Sequence, residues 1–332
     1  MADTVTDEAA EIVFDNATKR YGNADTAALD QLSLTVHAGE ICALVGPSGG
    51  GKTTALTLVN RMADLTSGDI RIGGTSINDL DPISLRRGIG YVIQQTGLFP
   101  HMTVEANIGL VPKILGWDAR RTSARAHELL SMVGLAPAED MAARYPNQLS
   151  GGQQQRVGIA RALAADPQVM LMDEPFGALD PITRVNLQDE FLKLHAKIRK
   201  TALFVTHDID EAIKMGDRIA ILREGGILAQ CDTPERILTA PADDFVREFV
   251  GADRALKRLA LLKIADAELD PLGDPPPTGW PTVSSDASLR EGLSEVLAHG
   301  ADGLVVQTDG RPVGLMPMQR LRDASVTAGA SS

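Results

Sequence analysis

One run of residues, Gly46-Pro47-Ser48-Gly49-Gly50-Gly51-Lys52-Thr53-Thr54, limits what this chain can fold into more than any other. The apolar residues before it, Ile41-Cys42-Ala43-Leu44-Val45, read as a buried parallel strand, and Ala55-Leu56-Thr57-Leu58-Val59 after it reads as a helix. Strand, glycine-rich loop and helix form the setting in which G-x-x-x-x-G-K-[ST] wraps a polyphosphate. Glycines let successive N–H groups point inward, and the helix start adds the positive end of its dipole. Lys52 has the reach to meet β- and γ-phosphates, and the Thr53 hydroxyl can hold Mg²⁺. A flexible turn ahead of a core helix needs none of these. The stretch predicts nucleoside triphosphate binding.

The 332 residues suffice for one large domain and a small one, and a 44% hydrophobic share supports a real core. No stretch is long and apolar enough to span a bilayer. The first residues include Asp3, Asp7, Glu8 and Glu11 and are unlike a signal peptide. A net charge of -12 argues against a nucleic-acid partner, which would normally meet a basic face. Cys42 and Cys231 lie far apart in sequence and suggest neither a disulfide framework nor a zinc site, so a cytosolic, reduced protein is expected.

Further chemistry gathers where other apolar runs end. Val169-Met170-Leu171-Met172 reads as a buried strand with Asp173 and Glu174 at its C-terminal end, the edge at which open α/β sheets bind ligands. Asp173 can hold Mg²⁺ through water while Glu174 activates an attacking water. Ala202-Leu203-Phe204-Val205-Thr206 is another such strand and ends at His207-Asp208; the other five histidines read as structural or surface residues. Leu149-Ser150-Gly151-Gly152-Gln153 opens a helix and offers a second anion-binding end. Ile12-Val13-Phe14-Asp15-Asn16 and Leu32-Ser33-Leu34-Thr35-Val36 read as antiparallel strands, with Tyr21 between them. An aromatic there can stack on a base or simply close a surface turn, and the residues alone leave both open. From about 103 to 144 the periodicity is helical. After helical pattern to about Leu262, the stretch Asp270-Pro271-Leu272-Gly273-Asp274-Pro275-Pro276-Pro277-Thr278-Gly279 reads as a linker, followed by strand, helix, strand, turn, strand and helix.

In this order the pieces resemble the ATP-binding subunit of ABC transporters, over about residues 12–250. The Walker A loop corresponds to 46–53, the Q-loop glutamine to Gln94, the signature to 149–153, and the Walker B strand to 169–173 with Glu174 after it. Gly177-Ala178-Leu179-Asp180 matches the D-loop, His207 the switch histidine, and Tyr21 the adenine-stacking aromatic. The resemblance implies an α/β P-loop ABC ATPase domain at 1–250, with a RecA-like core, an antiparallel β subdomain and a helical subdomain at about 95–160. It implies ATP and Mg²⁺ as the bound groups. Glu174, His207, Lys52 and Gln94 would be catalytic, and Thr53, Gln94 and Asp173 would ligate the metal. Nucleotide would meet Tyr21, the loop from Gly46 to Thr54, Ser150, Gly151, Gly152, Gln153 and Asp180. A head-to-tail homodimer is implied, each P-loop facing the signature of the opposite subunit, so that a lone subunit holds half of each site.

A narrower likeness rests on Tyr91-Val92-Ile93-Gln94-Gln95-Thr96-Gly97-Leu98-Phe99-Pro100-His101-Met102-Thr103, on Asp189-Glu190-Phe191, and on Asp244-Phe245-Val246-Arg247-Glu248-Phe249-Val250-Gly251 with Asp253-Arg254-Ala255-Leu256-Lys257-Arg258. These look like the quaternary-amine branch, importers of glycine betaine, carnitine, choline or proline betaine. The implied partners are integral membrane permease subunits, docking near 94–103, and an extracytoplasmic substrate-binding protein or domain. The implied location is peripheral, on the cytoplasmic face of the membrane. Residues 251–279 are expected to be a helix and a Pro/Gly-rich linker, 280–326 to resemble a single CBS motif, and 327–332 to be a tail. Pro317 and Arg320 stand where nucleotide-binding CBS motifs carry Thr and Asp, which leaves ligand sensing set against a pairing or docking module. Two other functions stay open: import of an amino acid or another small solute, and a soluble ABC ATPase of repair or translation. The long coiled coils of repair types and the second ATPase domain of translation types are both missing from the sequence.

Overall fold

In the computed structural model the described residues are 9–22, 26–94, 97–273 and 277–327, without the side chains of 324–327. Asp3, Asp7 and Glu8, the pair Gln95-Thr96, the linker residues Asp274, Pro275 and Pro276, and the tail from 328 lie outside them. The chain divides into two compact units, Met1–Thr233 and Pro234–Ser332.

The first unit opens with β1 (Ile12–Lys19) and β2 (Leu29–Val36). β3 (Ile41–Val45) is buried along its whole length and runs through the glycine loop into α1 (Lys52–Val59). β4 (Ser67–Ile72) and β5 (Thr75–Ser76) complete an antiparallel sheet in the order β2-β1-β4-β5. Across it Ile12 faces Val36 and Ile72, and Phe14 faces Leu34 and Ile70, so apolar rows close one face.

After α2 (Pro82–Arg87) and β6 (Ile89–Val92) comes a block of helices: α3 (Val104–Ile108), α4 (Leu110–Ile114), α5 (Ala119–Met132), α6 (Ala138–Ala142) and α7 (Gly151–Leu163). α5 buries Thr122, Ala126, Leu129 and Leu130, one stripe at helical spacing, and Asp118 caps it by accepting from the Arg121 N–H at 2.8 Å. Asn107, fully buried, ties down the loop before α3. Its amide donates to the carbonyls of Phe99 (3.1 Å), Met102 (3.1 Å) and Thr103 (3.0 Å) and accepts from the Phe99 N–H at 2.8 Å.

The unit closes with β7 (Val169–Asp173), α8 (Pro181–Ile198), β8 (Thr201–Val205), α9 (Ile209–Met215), β9 (Arg218–Leu222) and β10 (Leu228–Asp232). The second sheet runs β10-β9-β3-β8-β7-β6, parallel throughout except for the β9–β10 hairpin. Covered on both faces, its inner strands are continuous apolar runs, and their C-terminal ends share one edge. Cys42 and Cys231 are free thiols. The fold nonetheless brings them within hydrogen-bonding reach, and that bond, with burial, pushes the Cys42 thiol well up.

The second unit begins with α10 (Pro234–Thr239), α11 (Asp244–Val250) and α12 (Arg254–Leu259). β11 (Thr282–Ser284), α13 (Leu289–His299), β12 (Gly303–Thr308), β13 (Arg311–Pro317) and α14 (Met318–Thr327) follow. β12 pairs in parallel with β11 and antiparallel with β13, across Asp309-Gly310, whose φ values of 51° and 76° suit a two-residue hairpin turn. Ser288 and Glu291 form a capping box at the start of α13. The compact units divide after Thr233, whereas the expected boundary lies near 250; α10 packs on α11 and on α12, and α12 packs on α13. The stretch expected to be helix and linker is partly core: Ile264 is fully buried with Leu304 and Met316, and Asp270 exchanges two 2.8 Å backbone hydrogen bonds with Leu315. Among the described residues no helix is long and apolar enough to cross a membrane.

Two outcomes follow from this packing. His195 is buried, lies 6.1 Å from the Phe191 ring and, through Nε2–H, donates to the Lys200 carbonyl at 2.7 Å. Burial pushes its pKa down, so the native state refuses a proton that the unfolded chain takes up at about 6.5. Stability from this site is present above that pH and lost below it. Denaturant titrations from pH 7 to 5 are expected to show a slope that His195→Gln flattens by up to about 1.4 kcal/mol per pH unit; an unchanged slope contradicts the assignment. In the second unit, Ile264→Ala is expected to cost about 2–5 kcal/mol, read as faster amide exchange in β12 and β13, whereas a residue in a free linker would leave that exchange untouched.

Candidate nucleotide site

The glycine loop is shaped by what crowds it. Gly46, at φ 155°, has a backbone oxygen of Leu222 where a Cβ would sit (2.4 Å), and Gly51, at φ 77°, has the Ala28 carbonyl oxygen there (2.3 Å). Gly51 is the N-cap of α1, and neither a side-chain cap nor an acidic first-turn residue occupies that helix end. The N-terminal amides of α1 are thereby left facing the cleft. The cleft itself, about 500 Å³, is lined by Ala28, Ser48 to Thr54, Glu174 and His207. Lys52 curls back over the loop and donates to the carbonyls of Gly46 and Pro47, both at 2.8 Å. Burial lowers its pKa against the opposing pull of Glu174 and Asp173.

The end of β7 supplies the carboxylates. The Thr53 hydroxyl approaches Asp173 Oδ1 at 3.5 Å, joining the loop to the neighbouring strand. Burial, then the charge of Glu174, raise the Asp173 pKa, while Thr53 and Lys52 hold it down. Glu174 takes a left-handed conformation at φ 43°, which costs a non-glycine residue about 1–2 kcal/mol. Its N–H donates to the Val205 carbonyl at 2.9 Å and its carbonyl accepts from the Gly177 N–H at 3.2 Å, and these bonds hold the turn. The turned carboxylate accepts from Gln94 Nε2 at 2.9 Å through Oε2, and Oε1 lies 3.2 Å from His207 Nδ1. Gln94 comes from the end of β6, Glu174 from the end of β7 and His207 from the end of β8.

Tyr21 lines a neighbouring concavity of about 580 Å³ that shares Ala28 and Gly49 with the cleft. Its ring is half exposed, with Lys19 Nζ 4.8 Å from the centroid. Ser150, Gly151, Gly152, Gln153 and Asp180 do not line the cleft. Ser150 caps α7 and forms a capping box with Gln153, while Asp180 caps α8 and accepts from the Thr183 N–H at 3.0 Å; the Thr183 hydroxyl and then its N–H hold the Asp180 carboxyl below the usual range. A larger groove of about 900 Å³, beside α5 and the approaches to β7 and β8, lacks any glycine cradle. Sequence reasoning missed Ala28, a small apolar residue with no local signature. It also missed Gln188 and Glu211, which meet in the interior behind the cleft.

A family model described as "ABC transporter" matches residues 29–177. The chain is 48% identical to the osmoprotectant import ATP-binding protein OsmV of Salmonella typhimurium, over 95% of this chain and 81% of that protein. It is also 48% identical to the glycine betaine/carnitine/choline transport ATP-binding protein OpuCA of Bacillus subtilis, over 84% of this chain and 71% of that one. Among solved structures, it resembles the dimeric post-hydrolysis state of the ATP-binding cassette MJ0796 bound to ADP and Pi. That likeness has a TM-score of 0.59 and 38% identity, and covers 67% of this chain and 98% of the other.

The crowding makes the loop glycines unequal. A Cβ on Gly49 meets nothing within 4 Å, although φ is 79°. Gly49→Ala is expected to cost only the conformational strain, about 1–2 kcal/mol, in denaturant unfolding without nucleotide. Gly51→Ala carries a backbone clash as well and is expected to cost at least about 3 kcal/mol. Equal losses would mean that the Ala28 carbonyl gives way freely.

Proposed function

The chain belongs to the family of ABC transporter ATP-binding proteins, and we propose from that membership that it hydrolyses ATP to drive uptake of a quaternary-amine osmoprotectant through a separate membrane permease. The chemical half of this reading is carried by Glu174, turned into the cleft and held between Gln94 at 2.9 Å and His207 at 3.2 Å beside an open helix N-terminus. The substrate class is carried by relatives named for osmoprotectant, glycine betaine, carnitine and choline transport.

The triphosphate lies along the loop from Gly46 to Thr54, and Lys52 exchanges its two carbonyl partners for phosphate oxygens. Tyr21 stacks on the base from the adjoining concavity. The Thr53 hydroxyl and the Asp173 carboxylate, already side by side, suit a hard divalent cation, and Gln94 keeps its amide oxygen for the same purpose. Mg²⁺ bound there supplies positive charge against the phosphates. Glu174 orients the attacking water and takes its proton; His207 steadies that carboxylate and reaches the γ-phosphate. Ser150, Gly151, Gly152 and Gln153 stand apart from this cleft, so a second copy, arranged head to tail as a dimer, completes each site with its own signature helix and with Asp180. The MJ0796 cassette, a structural relative, is dimeric.

In this reading the protein sits peripherally on the cytoplasmic face of the membrane, with the permease against the loop before α3 that Asn107 fastens. A substrate-binding protein or domain outside the cell selects the solute. The C-terminal β11-α13-β12-β13-α14 order supports the CBS-like reading. Arg320 is occupied by Asp270 at 3.0 Å and Glu268 at 2.8 Å, so its position offers a fixed ion pair where a nucleotide-binding motif has an acid. That favours a pairing or docking role for this unit.

Glu174→Gln is expected to retain ATP, accumulate as a dimer and lose at least about 10²-fold in turnover, the usual scale of a general base. Cells carrying the protein with its permease are expected to take up labelled glycine betaine, carnitine or choline, and the E174Q strain is not. Transport of a control amino acid alone would keep the ATPase and discard the quaternary-amine class. Parental turnover in E174Q would overturn the mechanism.

A further inference from the structure

Behind the cleft, α8 and α9 are joined by a buried hydrogen bond between two polar side chains. Gln188 Nε2 donates to Glu211 Oε1 at 2.9 Å, and both residues are under a tenth exposed. Neither faces the space where nucleotide would lie. An uncompensated amide or carboxylate is costly to bury, so the pair is held to one arrangement.

Each partner continues toward a different loop of the site. On α8, one turn before Gln188, Arg184 Nη2 donates to the Leu179 carbonyl at 3.0 Å and reaches the Gly177 carbonyl at 3.5 Å. Helix α8 therefore clamps the loop that ends at Asp180. On α9, the Glu211 carboxyl is pushed up by burial and held down by the nearby Thr206 hydroxyl, itself almost fully buried. Thr206 Oγ1 accepts from the Asp208 N–H at 3.1 Å, and Asp208 caps α9 by accepting from the N–H groups of Asp210 (2.9 Å) and Glu211 (3.3 Å). The two residues flanking His207 are thus bonded to each other and, through the Asp208 cap, to the first turn of α9, which carries Glu211. A second tie repeats the junction at the helix surface, where Lys214 bridges Asp189 at 2.8 Å and donates to the Val185 carbonyl at 3.3 Å.

We infer that Glu211 is a positioning residue: its bond to Gln188 fastens α9, whose Asp208 cap holds the His207 loop, to α8, which clamps the 177–180 loop, so that the two loops move as one body. The inference deepens the ATPase reading above and rests on it for its kinetic consequence. Asp180 would lie toward the second copy, so a change at that subunit boundary is delivered to His207, and through it to Glu174, by a rigid α8–α9 pair. Burial raises the Glu211 carboxyl while Thr206 and Gln188 lower it, consistent with a group fixed by its partners.

In the full-length chain, Glu211→Ala is expected to lower kcat for ATP about tenfold and leave the Kd for ATP within about twofold. Glu211→Gln keeps an acceptor for Gln188 and is expected to recover kcat to within about threefold. Amide exchange in E211A is expected to rise about tenfold together in 177–180 and 206–208. A Q188A/E211A double variant is expected to fall no further than E211A, since both remove one link. Parental exchange in 177–180, parental kcat in E211A, or a double loss equal to the product of the single losses overturns the inference. Should E211A fail to fold, Gln188→Ala takes its place with the same expected and overturning results. The exchange measurement needs no turnover, so it decides the coupling even if E174Q hydrolyses ATP at the parental rate, the outcome that refutes the ATPase reading itself.

Discussion

Parallel strands buried on both faces leave a chain only their ends on which to place charge, and this constraint arranges the first unit. The inner strands β3, β7 and β8 carry almost nothing but apolar side chains. Each must therefore change character where it leaves the sheet, and parallel pairing brings those points to one edge. The glycine loop, the Asp173-Glu174 pair and His207 are neighbours for that reason. They are spread over more than 150 residues of sequence, and no local interaction brings them together. Packing does, and the polar groups follow.

Once collected, these charges restrain one another. Lys52 is partly buried and loses basicity by desolvation, yet two carboxylates face it. Asp173 is raised by burial and by Glu174, yet Thr53 and Lys52 oppose the shift. Without a ligand, Lys52 spends its hydrogen bonds on the loop's own carbonyls. A polyphosphate offers it better acceptors and supplies the negative charge that the N-terminus of α1 favours. The left-handed turn at Glu174 is local strain of the kind found where a side chain must be aimed, and its backbone bonds to Val205 and Gly177 are what sustain it.

What is legible in the sequence divides along the same physical line. Continuous apolar runs announce buried strands, and the residues that end them announce the site, so the order of residues alone puts Asp173, Glu174 and His207 at a sheet edge, while Gln94 comes from the family resemblance. Spacing within one loop likewise identifies Lys52 and Thr53. Cooperation between distant segments leaves no such trace. Glu211 reads as an ordinary acid on a short helix, and Gln188 as one polar residue of a mixed one; only their burial against each other gives them meaning. Cys42 and Cys231 meet in the same unannounced way. The stretch before the proline-rich segment reads as linker because its neighbours are proline and glycine, yet Ile264 and the backbone of Asp270 complete the second unit's core and sheet. Composition averaged over a window blurs a boundary that a single buried isoleucine decides.

The site so assembled is one-sided. Its glycine cradle, the Thr53–Asp173 pair and Glu174 all come from one sheet edge, while another glycine-opened helix, α7, begins at Ser150 outside the cleft. A helix start capped by its own serine and glutamine has used part of its donor capacity locally, but Gly151 still exposes backbone that can approach a phosphate closely. In the proposed head-to-tail dimer, two such half-sites would satisfy one another, and neither would be improved by folding more tightly alone. On that proposal catalysis would depend on how the two halves close, and a chain whose 177–180 loop and His207 loop are fastened to the same helix pair would have a direct way to sense that closure.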